Sequence, residues 1–131
     1  MATINRFEDL EIWQLARKQN KELWLLTMRQ EFSKLFSLND QLRSASISVM
    51  NNISEGFERD GNREFIQFLS YAKGSAGEVK NMLYGFIDIG LISHEEFDQL
   101  TKQAETIRVK IFKLMEYLNR SDYKGSKFKK V

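Results

Sequence analysis

No proline occurs anywhere in the 131 residues. Proline locks φ and lacks an amide donor, so long helices exclude it from their interiors, while strand-rich folds use it at many turns. A chain without it leaves helices free to run on, and the apolar residues are spaced to suit. Four stretches carry the three-and-four alternation of an amphipathic helix. The first covers about residues 10–29, with Leu10, Trp13, Ala16, Leu23, Trp24 and Leu26 as its main apolar positions. The second covers about 38–57. The third, about 63–89, carries Phe65, Leu69, Ala72, Ala76, Val79, Leu83 and Phe86. The fourth, about 95–119, has a coiled-coil-like seam of Phe97, Leu100, Ala104, Ile107, Ile111, Leu114 and Leu118.

The ends of these stretches carry their own signals. Ser93 followed by Glu96 is a capping box. Gly90 suits a left-handed helix end. Gly61-Asn62 marks a tight turn between the second and third helices, with Asn62 or Asp60 as a cap, and residues 31–37 form the only longer connection. At 1.5 Å rise per residue the helices are each roughly 30 to 40 Å long. Four such helices joined by short loops predict an all-α fold, an antiparallel up-down four-helix bundle over residues 1–119. Residues 120–131 follow as a basic tail.

Composition narrows the function classes. At 42% apolar residues one domain of this length can bury a core. Cysteine is absent, which excludes disulfides, thiol redox chemistry and thiolate zinc sites. No apolar run is long enough to span a bilayer, and the opening MATINRFEDLEIW has no hydrophobic signal core. The expectation is a soluble, cytoplasmic protein with no membrane partner.

The chemistry-bearing residues concentrate in residues 41–78. Gln41, Ala45, Ser48, Asn52, Glu55 and Arg59 fall at steps of four, three, four, three and four, along one side of a helix. Leu42, Val49, Met50, Ile53 and Phe57 line an adjacent side. This pattern suits a helix packed on more than one side, whose polar groups bond to one another. Glu55 and Glu78 are expected to face each other across the second and third helices, a spacing open to acid–base work. The more economical account is a buried network of Asn52, Glu55, Ser75 and Glu78, closed by Arg43 or Arg59, that sets register more than net stability.

No catalytic constellation emerges. His94, the only histidine, falls in the first turn of the fourth helix, where a solvated role is expected. One histidine cannot supply the two Glu-x-x-His pairs of a ferritin-like dimetal bundle. Lys73-Gly74-Ser75-Ala76-Gly77 lacks the first glycine and the preceding strand of a nucleophile elbow. No catalytic residue, metal or cofactor is therefore expected.

Two further features call for a neighbour. Gly74, Gly77, Asn81 and Gly85 share one line of the third helix. An interior glycine costs about 1 kcal/mol relative to alanine, so the line implies a neighbour pressed against that side. Val109, Phe112 and Met115 on the fourth helix, with Leu15 and Leu25 on the first, lie outside the main apolar stripes. A subunit interface accounts for them; a wide core face is the alternative. Charge is divided unevenly along the chain. In residues 120–131 five basic residues (Arg120, Lys124, Lys127, Lys129, Lys130) stand against Asp122 alone, a net of +4. The whole chain is +2, so the body carries −2. With Tyr123 and Phe128 interleaved, the tail can contact phosphates and stack on bases, or remain a solvated end.

At this point a resemblance becomes visible. Phe7-Glu8-Asp9-Leu10 with Trp13-Gln14 and Ala16 follows the pattern F-x-D-L-x-V-W-x-x-A, with Ile12 in place of valine. Gln41-Leu42-Arg43, Ser48, Asn52-Ile53-Ser54-Glu55-Gly56 and Arg59 follow a second pattern, with Ser54 for a typical alanine. Glu64-Phe65, Phe68-Leu69, Ala72, Gly74-Ser75 and Glu78 match E-F-x-x-F-L-x-x-A-x-G-S-x-x-E. On these motifs the chain resembles the "four helix bundle protein" family, the 23S rRNA intervening sequence or S23 proteins, to which the accessory variability protein of retroelements is related. The resemblance implies a bundle that assembles as a homopentamer and is not an enzyme. It also implies RNA, DNA or a nucleic-acid-processing protein as partner, by analogy with the retroelement relatives and their basic barrel surface. Candidate contacts are Arg43, Arg59, Arg63, Lys73, Lys80, Arg120, Lys124, Lys127, Lys129 and Lys130. Gln41, Asn52, Glu55, Gly56, Ser75 and Glu78 form the structural polar signature. The body's −2 departs from a basic surface, and a protein–protein scaffold without nucleic-acid affinity is the rival expectation.

Overall fold

In the computed structural model, which describes residues 3–121 and 128–129, four helices pack against one another. They are α1 (Glu11–Thr27), α2 (Phe36–Glu58), α3 (Asn62–Asp88) and α4 (His94–Arg120). Each boundary lies within two residues of the periodicity reading. The first helix is shorter than expected, about 26 Å at 1.5 Å per residue. A pairing of two residues on each side, β1 (Thr3–Ile4) with β2 (Phe128–Lys129), runs antiparallel with Thr3 opposite Lys129. Lys129 thus has a described backbone position. Lys124, Lys127 and Lys130 lie outside the described residues.

The loops form as their residues dictate. Ser93 accepts from the Glu96 amide at 3.1 Å while the Glu96 carboxylate accepts from the Ser93 amide at 2.9 Å, the expected capping box. Gly90 has φ +77°, and the bonds Gly90 N–H to Ile87 and Leu91 N–H to Phe86 close a Schellman end on α3. At the α2–α3 turn the reading needs correction. Gly61 is extended and makes no side-chain cap, Asp60 takes the positive φ of 59°, and Asn62 caps nothing on its own helix. Its amide instead donates to the Leu118 and Ser121 carbonyls at 2.9 and 3.2 Å, satisfying the far end of α4. The α1–α2 connection contains a short 3-10 turn, Gln30–Phe32. Phe32 is fully buried there, edge-on to Phe86 at 5.5 Å, with its carbonyl held by the Asn39 amide.

The core divides along the bundle into two clusters. One joins Ile12 and Ala16 of α1 to Ile53 and Phe57 of α2, Phe65 and Leu69 of α3, and Ile107 to Leu118 of α4. The other joins Leu23 and Leu26 to Leu42, Val79, Leu83, Phe86 and Ala104. Between them in α1 sits Gln19, 1% exposed, with neither amide atom hydrogen-bonded. Ser46, also buried, donates to Asn20 Oδ1 at 2.9 Å. The buried line of α1 is therefore Ile12, Ala16, Gln19, Leu23 and Leu26. Trp24, expected in the core, is 41% exposed, and Trp13 is only half-buried. The polar Gln19 hides an otherwise regular heptad, so the two tryptophans beside it look like the stripe.

The helices do not pack equally. α2 with α3 and α3 with α4 share the most extensive contacts, α1 with α2 fewer, and α1 with α4 fewest. The tightest approach is at Gly56, where a Cβ would lie 2.7 Å from Phe68 Cβ and 3.0 Å from Phe65 Cδ1. Close approach was expected at Gly74, Gly77 and Gly85 instead. A Cβ at any of those three meets nothing within 4 Å, so no neighbour within the described chain covers that side. Gly56→Ala is expected to destabilise the protein by about 2 kcal/mol through overpacking, measured as a lower urea midpoint with unchanged slope.

Candidate functional site

Six signature positions lie along the α2–α3 seam, and hydrogen bonds join only part of the set. Ser75 Oγ donates to Ser48 Oγ at 2.9 Å, and Asn52 Nδ2 donates to the Ser48 hydroxyl and carbonyl at 3.0 and 2.9 Å. Ser48 is therefore the hinge of the network, a residue the signature passed over. Gln41 is exposed and reaches only Ser37 at 3.4 Å. Glu55 is exposed and ion-paired to Arg59 on its own helix, at 2.9 Å. Glu78 is exposed and lines a shallow hollow with Asp40, Gln41, Ser44 and Ser48.

The two carboxylates do not face each other. Glu55 adjoins Gly56, which abuts Phe65 and Phe68, whereas Glu78 lies on the other side of the Ser48–Ser75 contact. The expected pair of Glu55 and Glu78, and the buried network containing both, are thus corrected to a three-residue polar bridge. Sequence spacing put Asn52, Gly56 and Ser75 on the packed side, while Gln41, Glu55 and Glu78 are exposed. It could not set the axial offset between helices, which the Gly56–Phe68 contact fixes. Among the described residues no group of three or more His, Asp or Glu is placed to hold a metal ion.

The candidate cations are dispersed. Arg43 and Arg59 are sixteen positions apart on α2, about 160° around it. Arg59 pairs with Glu55 and, at 3.7 Å, Glu64, and its guanidinium lies 5.1 Å from the Phe68 ring centroid. Lys73 lies 5.5 Å from the Phe112 ring, and Lys80 pairs with Glu105 at 3.3 Å. Arg63 and Arg120 are exposed. Arg43 differs from the others. Its Nε donates to Thr27 Oγ1 at 2.9 Å and its guanidinium stacks 4.3 Å from the Trp24 ring, with no carboxylate within 4.0 Å among the described residues. The sequence reading missed a second such pair, Arg17 over Trp13 at 5.7 Å. The four-residue step from tryptophan to arginine was the available signal.

Ion pairing sets the electrostatics of the α3–α4 side. Arg108 and then Lys80, hydrogen-bonded to Glu105, push its carboxyl down to about 2. The Arg29 side chain, then the Ser93 amide, holds Glu96 below the ordinary carboxylate range. A lowered folded-state pKa adds stability that is complete above the unfolded value near 4.5 and is lost as pH falls toward 2. Glu105→Gln is therefore expected to melt below the wild type at pH 6, with the two melting curves converging near pH 2. The exposure of the pair makes the gap small.

Residues 8–113, nearly the whole bundle, match the family model described as 23S rRNA-intervening sequence protein. No curated protein matches the chain.

Proposed function

The chain belongs to the 23S rRNA-intervening sequence protein family, and from that premise we propose that it is a non-catalytic, oligomeric helical-bundle adaptor binding RNA or DNA, or a ribonucleoprotein. The observation that carries the reading is the family match over residues 8–113, joined to a polar bridge that links α2 to α3. Its described cations bear on phosphates unevenly: Lys80 and Arg59 are engaged by carboxylates, while Arg43, Arg63 and Arg120 have none within 4.0 Å among the described residues. The body's net −2 supports the rival, a protein–protein scaffold.

The helices run alternately up and down in this reading. Supporting contacts join the start of one helix to the end of another: Glu11 with Lys110 at 3.1 Å, Asn62 with Leu118, and Arg29 just after α1 with Glu96 at the start of α4. Self-association, as a homopentamer, uses the bare line of Gly74, Gly77 and Gly85 together with exposed Phe112 and Leu25. No described helix is long and apolar enough to cross a membrane, which fits a cytoplasmic setting.

Light scattering is expected to give five times the chain mass, and a stable monomer at micromolar concentration removes the assembly. The combined change of Gly74, Gly77 and Gly85 to alanine separates packing from propensity. Each alanine favours the helix by about 1 kcal/mol, so a bare face yields a more stable protein of unchanged mass, whereas a close subunit contact yields dissociation. A salt titration of binding to structured RNA tests the adaptor reading. The expected result is a steep fall in affinity with salt, and absence of binding at low salt leaves the scaffold.

A further inference from the structure

The charges of α1 are sorted by direction. Its two carboxylates are both engaged by α4: Glu11 accepts from Lys110 at 3.1 Å and Glu22 from the Gln103 amide at 2.6 Å. Its three cations, Arg17, Lys18 and Lys21, are exposed and have no carboxylate within 4.0 Å among the described residues. Trp13, Arg17, Lys21 and Trp24 follow one another at steps of four, four and three, so they share one side of the helix. This side borders α2, where Arg43 meets Trp24.

Arg43 is preorganised. Thr27 Oγ1 accepts its Nε–H and itself donates to the Trp24 carbonyl at 2.9 Å, while the Trp24 ring supports the guanidinium plane. Its two terminal nitrogens have no hydrogen-bond partner among the described residues, which leaves the planar fork that matches a phosphate. Little side-chain entropy remains to be lost when an anion arrives. Trp24 remains 41% exposed, an apolar platform beside that fork. Trp13, about 16 Å from Trp24 along the axis and braced edge-on by Phe7 at 5.3 Å, holds Arg17.

We propose that this α1–α2 face binds single-stranded nucleic acid, with Trp24 stacking on a base and Arg43, Arg17 and Lys21 contacting the phosphates on either side. The proposal rests on the nucleic-acid reading above and moves its centre away from the acid-paired Arg59 and Lys80. Single strands are favoured because a base face is available for stacking only when the base is unpaired, and aromatic platforms beside cations are how such strands are held. Duplexes offer phosphates and base edges but keep the base faces stacked.

The test titrates the full chain at low salt with an oligouridine and with a duplex, following anisotropy of the labelled oligonucleotide and the fluorescence of the chain's two tryptophans. Tighter binding of the single strand, with quenching that disappears in Trp24→Phe, is the expected result. Trp24→Ala and Arg43→Gln should each weaken binding about tenfold. Lys102→Gln, an exposed lysine on α4, gauges the effect of one lost charge alone. Circular dichroism and light scattering confirm that each variant keeps its fold and mass; should Trp24→Ala lose either, Arg43→Gln carries the test. Wild-type affinity in the folded variants, or equal binding of the duplex, overturns this site and leaves the nucleic-acid reading standing. Failure of both oligonucleotides to bind at low salt overturns the two together.

Discussion

Where α2 passes α3, the hydrogen on Gly56 is the largest substituent the contact admits, with Phe68 Cβ lying 2.7 Å from where a methyl carbon would be. This approach lets Phe57 and Phe65 meet edge-on at 6.0 Å and brings the Ser48 and Ser75 hydroxyls within 2.9 Å. A polar bridge of this kind contributes modest net energy because its groups give up water to form it. Its geometric effect is larger: a helix slid by one turn would break the Ser48–Ser75 bond, the one of these that crosses between helices, and leave the Ser75 hydroxyl without its partner. The steric contact and the hydrogen bonds thus specify the same offset, and α4 packs on the surface they create.

Polarity is distributed through the bundle in layers. Two apolar clusters are separated along α1 by Gln19, with the Ser46–Asn20 bond close by. A buried amide without a protein partner costs on the order of 1–3 kcal/mol, so the middle of α1 holds less favourably than its ends. Among the helix pairs in extensive contact the lightest packing also involves α1, along its side toward α4. Beside the shared apolar core, polar contacts join the two helices there: Glu22 with Gln103, Arg29 just after α1 with Glu96, Glu11 with Lys110.

Much of this was legible in the residues. The seam of α4 is buried from Ala104 to Leu118 as its spacing requires, and the capping box at Ser93 and the left-handed Gly90 followed from local chemistry alone. Short-range rules decide such features. What failed depended on distance across the bundle. Trp24 looked like core because Gln19 interrupts the true stripe, and burial of a polar residue is decided by neighbours from other helices. Glu55 and Glu78 were expected to face each other, yet both are exposed and their separation along the axis is set by how α2 and α3 slide. The glycine line of α3 is bare within the described chain, and the close approach inside the bundle falls at Gly56 on α2. The pairing of Arg43 with Trp24 spans two helices and left no local trace.

The polar side of α1 has a consequence for how the chain reaches its fold. Contacts between α2 and α3 join residues close in sequence: Phe57 with Phe65 across a short turn, Ser48 with Ser75 across 27 positions. Docking α1 on α4 brings together Arg29 and Glu96, 67 residues apart, and Gln103 and Glu22, 81 apart. The entropy of closing loops of that size must be met before those contacts repay it. Low sequence separation, tight packing and an interlocking register therefore coincide in α2–α4, which is expected to fold as the early unit. The first helix meets α2 through equally local contacts, Arg43 with Thr27 across 16 positions and Ser46 with Asn20 across 26, so its late step is the docking on α4.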